Sequence, residues 1–233
     1  MHGAWHGAWC WAPLQAALDD LGVPSHAVDL PGHGTSPLPL ADLHGDARCV
    51  ADAALAIGGR IVLVGHSYGG AVVTQAAEFL RDEPGAEVTH IVYLAAFCLD
   101  QGESVSGFVA SQPRENPLLN SAMIPGPDGS IVLDPAKAAP ALYNRMSPAQ
   151  AAAAVARLGP ESSSGFAQPV TGAPWRQVPS TYVVCEQDLS VHPNHQRSMA
   201  ARCTNVVSLD TDHSPFASMP RETAAILAAT TRA

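Results

Sequence analysis

The chain has 233 residues, 47% of them apolar and 14% charged, which is long enough for one large buried core and too apolar for a disordered polymer. A formal charge of −9, with Lys137 the single lysine and no basic cluster, argues against a nucleic-acid partner. No run approaches the ~20 apolar residues of a membrane span, no basic-then-apolar leader opens the chain, and the five scattered cysteines form no C-x-x-C pair, so the expectation is no membrane, a cytoplasmic location and free thiols.

In chain order, Pro13 to Gly22 predicts a helix with proline in its first turn and glycine as its stop. Ser25 to Leu30 predicts a short strand, and Pro31 to Pro37 a loop. Asp42 to Ile57 has the spacing of an amphipathic helix. Arg60 to Val64 is a β-branched strand, followed by Gly65-His66-Ser67-Tyr68-Gly69 and a helix from Gly70 to Leu80. Val88 to Ala96, apolar apart from Thr89 and His90, is suited to a strand buried on both faces. Thr181 to Cys185 and Asn205 to Leu209 predict two more strands, with a helix from Pro193 to Arg202 between them and another from Arg221 to Thr230. Alternating strands and helices predict an α/β chain, a mostly parallel sheet flanked by helices. The interval 99–178 breaks the alternation. It is rich in proline, glycine and serine, and its clearest element is an alanine-rich helix capped by Ser147 with Gln150 three residues on, ending at Gly159. The predicted organisation is therefore a core of 1–98 and 179–233 and a lid (cap) insertion of 99–178.

The pentapeptide around Ser67 carries the chemistry. A G-x-S-x-G pattern between a strand and a helix reads as a sharp turn that pushes its central hydroxyl out over the sheet edge, with Gly65 and Gly69 leaving room and the helix N-terminus aimed at the same point. A serine hydroxyl needs a base, and the base an orienting carboxylate. In such sites acid and base follow the serine in that order. Asp188 lies just past one predicted strand end and His213 just past the next, so Ser67 is assigned as nucleophile, His213 as base and Asp188 as orienter. Glu186 is the rival acid. Asp210 and Asp212 are too near His213 in sequence to reach its far nitrogen and are read as turn residues. His66 is read as a packing or hydrogen-bonding residue. His192 and His195 have a spacing that metal sites use but no supporting third ligand, so no metal is assigned. The oxyanion hole is assigned to the backbone N–H groups of Tyr68 and Ala4. The latter lies in the glycine-containing opening His2-Gly3-Ala4-Trp5-His6-Gly7, while Trp9 and Trp11 are read as packing. Phe97, Phe108, Leu118, Leu119, Met123, Tyr143 and Phe166 are candidates to line the substrate pocket.

The opening His-Gly-Ala-Trp-His-Gly-Ala-Trp-Cys-Trp, Asp29-Leu30-Pro31-Gly32-His33-Gly34, Gly-His-Ser-Tyr-Gly-Gly and His213-Ser214-Pro215-Phe216 resemble the α/β-hydrolase branch that holds plant methylesterases, hydroxynitrile lyases and bacterial esterases. The resemblance spans nearly the whole chain and implies the α/β-hydrolase fold. It implies a serine hydrolase acting on a small hydrophobic carboxylic ester through an acyl-enzyme on Ser67, without a cofactor, as a monomer or homodimer. Lyases of that branch carry threonine at the place of Gly3 and lysine after the catalytic histidine; Gly3 and Ser214 stand here, which favours ester hydrolysis. A hydroxynitrile lyase or C–C bond hydrolase using the same triad, a binding module with little turnover, and action on a carrier-bound or macrocyclic ester stay compatible. The branch also carries an apolar strand ahead of the His-Gly motif. This first core strand is missing ahead of Met1, and the expectation is that the true start lies upstream.

Overall fold

The structure is a computed structural model that describes residues 1–115 and 117–231. Asn116, Arg232 and Ala233, which fall inside the predicted lid and core ranges, lie outside the described residues. The β-branched runs become the strands. In chain order the elements begin with α1 (Ala12–Asp19), α2 (Leu43–Ile57), β1 (Gly59–His66), α3 (Tyr68–Leu80) and β2 (Ala86–Leu94). The insertion then supplies α4 (Val105–Ser111), α5 (Leu119–Ala122), β3 (Met123–Pro125), β4 (Ser130–Leu133), α6 (Pro135–Leu142), α7 (Pro148–Val155), β5 (Glu161–Ser162) and α8 (Ser163–Ala167). The chain closes with β6 (Ser180–Cys185), α9 (Pro193–Ala200), β7 (Asn205–Leu209), α10 (Pro215–Ser218) and α11 (Pro220–Thr230).

The main sheet runs β1-β2-β6-β7, every pairing parallel. Its strands alternate between two cores, as the period of two demands. Ile91, Tyr93, Tyr182 and Val184 face α2, α3 and α9, while Val92, Leu94 and Val183 face α1, α10 and α11. Helices on both faces are why Ile91 to Ala96 reads as an unbroken apolar run. The insertion builds a small antiparallel sheet of its own, β3-β4-β5. It is fastened to the N-terminal loop, where the Trp5 indole N–H donates to Ile131 O at 2.9 Å and Gly159 N–H donates to Trp5 O at 2.8 Å.

Two expectations are corrected. Residues 25–30 form no strand, because no neighbour offers them a ladder. Leu30 N–H is taken instead by the His2 imidazole at 3.2 Å. A cavity of about 910 Å³ is lined both by residues 24–28 and by residues 60–64 of β1. On that edge β1 is paired by Met1: the Met1 amino group donates to Val64 O, and His66 N–H donates to Met1 O at 3.0 Å. Among the described residues no strand precedes Gly59. The alanine-rich helix also stops at Val155, short of Gly159, because the Gly159 N–H has turned to Trp5.

Candidate active site

The turn after β1 places Ser67 at φ 52°, ψ −125°, a left-handed conformation that a side-chain-bearing residue adopts only when its surroundings enforce it. The neighbours enforce it. A Cβ on Gly65 would sit 2.5 Å from Gly69 O, and one on Gly69 would sit 2.4 Å from His2 O. Backbone hydrogen bonds fix the serine from both sides: Ser67 N–H donates to Leu94 O at 3.3 Å, and Phe97 N–H donates to Ser67 O at 3.1 Å. Ser67 is only 7% exposed, and its hydroxyl has no hydrogen-bond partner among the described residues.

Asp188 and His213, 25 residues apart, meet at the C-terminal ends of β6 and β7. His213 Nδ1–H donates to Asp188 Oδ2 at 2.7 Å, with both side chains buried. The carboxylate is held at every lone pair. Oδ1 accepts from Ser190 N–H at 2.6 Å and Val191 N–H at 2.9 Å, and Oδ2 accepts a second bond from Gln196 Nε2 at 2.8 Å. The His213 ring lies 4.5 Å from that of His66, the residue before the serine, and His66 Nε2–H donates to His213 O at 2.7 Å. His66 is thus a strut between the two loops. Burial, with the neighbouring His213 and His6, holds its pKa well below the usual imidazole value. Glu186 points outward to Arg197. Asp212 accepts from Ser214 N–H, Ser218 Oγ and Arg145 N–H, a turn role, while Asp210 pairs with Arg145 and Gln187.

The opening loop lies against the serine. A Cβ on Gly3 would fall 2.9 Å from Ser67 Cβ and 2.8 Å from His66 Nδ1. The N–H groups of Ala4 and Tyr68 find no protein acceptor among the described residues. The shape of this loop rests on a residue that sequence reasoning missed. His6 Nδ1–H donates to Ala4 O at 2.8 Å, and its Nε2 accepts from the Tyr143 hydroxyl at 2.7 Å. Burial lowers the His6 pKa to about 4, so the ring is neutral and keeps one donor and one acceptor. Gln196 was missed as well. Its only signal in the sequence was a glutamine on the predicted helix eight positions after a candidate acid, and the structure buries it wholly where glutamines are mostly exposed.

The predicted pocket residues divide. Phe166 lies tilted against Trp5 and edge to face on Tyr68, at centroid distances of 5.9 and 5.4 Å, and Phe97 and Phe108 meet edge to face at 6.4 Å. Tyr143 is buried on His6, and Leu119 and Met123 are half-buried against the main core. Leu118 is not brought in: it is 43% exposed, because it lies in the turn that leads into α5. His192 caps α9 through Asn194 N–H, and His195 Nε2–H donates to Pro113 O at 3.0 Å. Among the described residues no group of three or more histidine, cysteine or acidic side chains converges as a metal site. Among the described residues no helix is long and apolar enough to cross a membrane.

Comparison with known proteins gives the family. A family model described as "Alpha/beta hydrolase family" matches residues 1–226. The chain is 31% identical to the alpha/beta hydrolase nvfD of Aspergillus novofumigatus, covering 94% of this chain and 89% of that protein. It is 30% identical to the esterase PIR7B of Oryza sativa subsp. japonica, covering 97% of this chain and 92% of that one. The crystal structure of the methylesterase MES16 from Arabidopsis superposes with a TM-score of 0.80 at 25% identity, over 100% of this chain and 97% of that one.

Proposed function

The chain belongs to the alpha/beta hydrolase family as a carboxylic ester hydrolase, and on that premise we propose that Ser67 is its nucleophile and a small hydrophobic ester its substrate. The buried Asp188–His213 hydrogen bond carries the reading. With Nδ1–H committed to the carboxylate, a neutral imidazole presents an unprotonated Nε2, which is the form a general base requires. His213 takes the Ser67 proton as the oxygen attacks the ester carbonyl. The N–H groups of Ala4 and Tyr68 hold the developing oxyanion. His213 then protonates the leaving alcohol, and a water activated by the same ring releases the acid and regenerates Ser67. Every proton and electron pair is supplied by the chain, the ester and water. The 99–178 insertion serves as the lid: its Phe166 meets Tyr68 of the elbow edge to face, its Tyr143 hydroxyl bonds His6 of the opening loop, and a substrate enters beneath it to reach the enclosed serine.

Hydrolysis is favoured over cyanohydrin cleavage by Gly3, where a Cβ would already fall within 3 Å of His66 and Ser67, and by the uncharged, wholly buried Ser214 where lyases of the branch carry a lysine. Replacing Ser67→Ala is expected to abolish turnover of a p-nitrophenyl ester and labelling by a fluorophosphonate, while the thermal unfolding midpoint stays within a few degrees. Retained turnover overturns the assignment, and cyanide release from a cyanohydrin by the wild-type chain would transfer it to the lyase class.

A further inference from the structure

Three of the five cysteines stand apart from other thiols: Cys10 and Cys185 are buried and Cys49 half-buried, and burial pushes each thiol above its usual range. The other two meet across 105 positions of sequence, with Cys98 Sγ and Cys203 Sγ 3.9 Å apart. Cys98 is fully buried at the point where the chain leaves β2 for the insertion, and Cys203 is half-buried in the turn between α9 and β7. The junction is already a gathering point. Arg202 Nη1 donates to Cys98 O at 2.8 Å, its guanidinium grips the Glu103 carboxylate at 2.6 and 2.9 Å, and the Trp175 indole N–H donates to Leu99 O at 2.8 Å.

We propose that Cys98 and Cys203 are a reversible redox pair that closes to a disulfide under a hydroperoxide, tying the first turn of the insertion to the α9–β7 connection. The two sulfurs are already in contact at 3.9 Å, and closing to a bond of about 2.05 Å brings them together by a little under 2 Å. The pair is also asymmetric in the way such chemistry needs. The S–H of Cys98, the Ser180 hydroxyl and the Arg202 guanidinium together draw the Cys203 thiol below its usual range, while burial holds Cys98 well above it. Cys203, half-buried in a turn where a peroxide can reach it, is the attacking thiolate, and the fully buried Cys98 is the resolving thiol. The Cys203 sulfur attacks one peroxide oxygen, the O–O bond breaks, and with one proton the products are Cys203 sulfenic acid and a water. The Cys98 sulfur then attacks the sulfenic sulfur, the S–O bond breaks, and a second water leaves with the Cys98 proton. In sum two thiols are oxidised, one hydrogen peroxide is reduced, and one disulfide and two waters form.

The tie would act close to the site. Cys98 follows Phe97, whose N–H is bonded to the carbonyl of Ser67. It would also close a long loop of the unfolded chain, which raises stability.

The full reduced chain is to be treated with one equivalent of hydrogen peroxide, alkylated and mapped without reduction. The expected product has lost two hydrogens, shows two fewer alkylated thiols than the five of the reduced chain, and yields a Cys98–Cys203 linked peptide. Dithiothreitol restores all five, and the oxidised form melts several degrees higher. Five alkylated thiols after treatment, a link through any other cysteine, or a Cys203 that proceeds to sulfinic acid beside a free Cys98 each overturn the proposal. In Cys98→Ala the oxidation should halt at a sulfenic acid on residue 203 that dimedone traps. Cys203→Ser, at the half-exposed and more tolerant position, should give neither adduct nor disulfide; a dimedone adduct forming there as readily as in the Cys98→Ala chain overturns the order of attack.

Discussion

Gln196 shows how much a single side chain can set. Its Oε1 accepts from Cys185 N–H at 2.9 Å, and its Nε2 donates to Asp188 Oδ2 at 2.8 Å and to Val191 O at 2.7 Å. It thereby locks the end of β6, the loop after it and the carboxylate into one unit. Gln196→Ala removes a donor from Asp188 and leaves two buried backbone groups unpaired, each costing ~1–3 kcal/mol. The expected result is a lower melting temperature, together with a kcat reduced roughly 10- to 100-fold and a KM nearly unchanged, measured on an ester well below the melting transition. A purely structural role would leave kcat intact in the fraction that stays folded. Gly65 and Gly69 act at the same scale by what they lack, since any side chain there would collide with the backbone of the turn or of residue 2.

At the scale of elements, local signals sufficed wherever an element closes on itself. Helix α7 carries the reciprocal cap that its sequence announces. Ser147 Oγ accepts from Gln150 N–H at 3.4 Å, and Gln150 Oε1 accepts from Ser147 N–H at 3.3 Å. Ser147→Ala should cost about 1 kcal/mol and lower the melting temperature by about 2–4 °C, with turnover unaffected, because the cap lies on the outer side of the insertion; calorimetry beside an ester assay checks both. Strands are different, because a strand exists only through its partner. Asn205 to Leu209 pairs with β6 over its whole length, whereas residues 25–30, with similar composition, have no ladder and remain unpaired. The small sheet β3-β4-β5 went unforeseen for the same reason. Its strands are two to four residues long, and one of them pairs with residues 30 and 32 positions away.

At the scale of the whole molecule, the insertion and core meet over buried ionisable groups. His33 Nε2 lies 3.2 Å from Glu161 Oε2, and the Tyr68 hydroxyl donates to Asp46 Oδ2 at 2.7 Å. Burial raises the Asp46 pKa to about 7, with the nearby Glu161 and Asp42 adding to it and the Tyr68 hydroxyl and His33 opposing. Burial alone would lower the pKa of His33, but the hydrogen bond and charge of Glu161 outweigh it and raise the value. Between the ordinary carboxylate range and pH 7, the folded chain keeps a proton on Asp46 that the unfolded chain has released, so stability falls as pH rises through that window. The His33 contribution is complete below the usual histidine pKa and is lost as pH rises through the raised folded value, which has the same sign. Asp46→Asn keeps an acceptor for Tyr68 and removes the first effect. Urea unfolding between pH 4.5 and 7.5 should show a flatter profile than the wild type, by an amount on the order of a few kcal/mol. The sequence by itself determined the alternation of strand and helix, the sharp turn at Ser67 and the places of Ser67, Asp188 and His213 just past strand ends, because periodicity, glycine placement and strand ends are local properties. Only the tertiary structure decided that Gln196 and His6 support the site, that Glu186 faces Arg197 rather than His213, and that Cys98 touches Cys203. Each of these depends on which side chains meet across the folded chain, and that follows from packing many residues at once rather than from any one stretch of them.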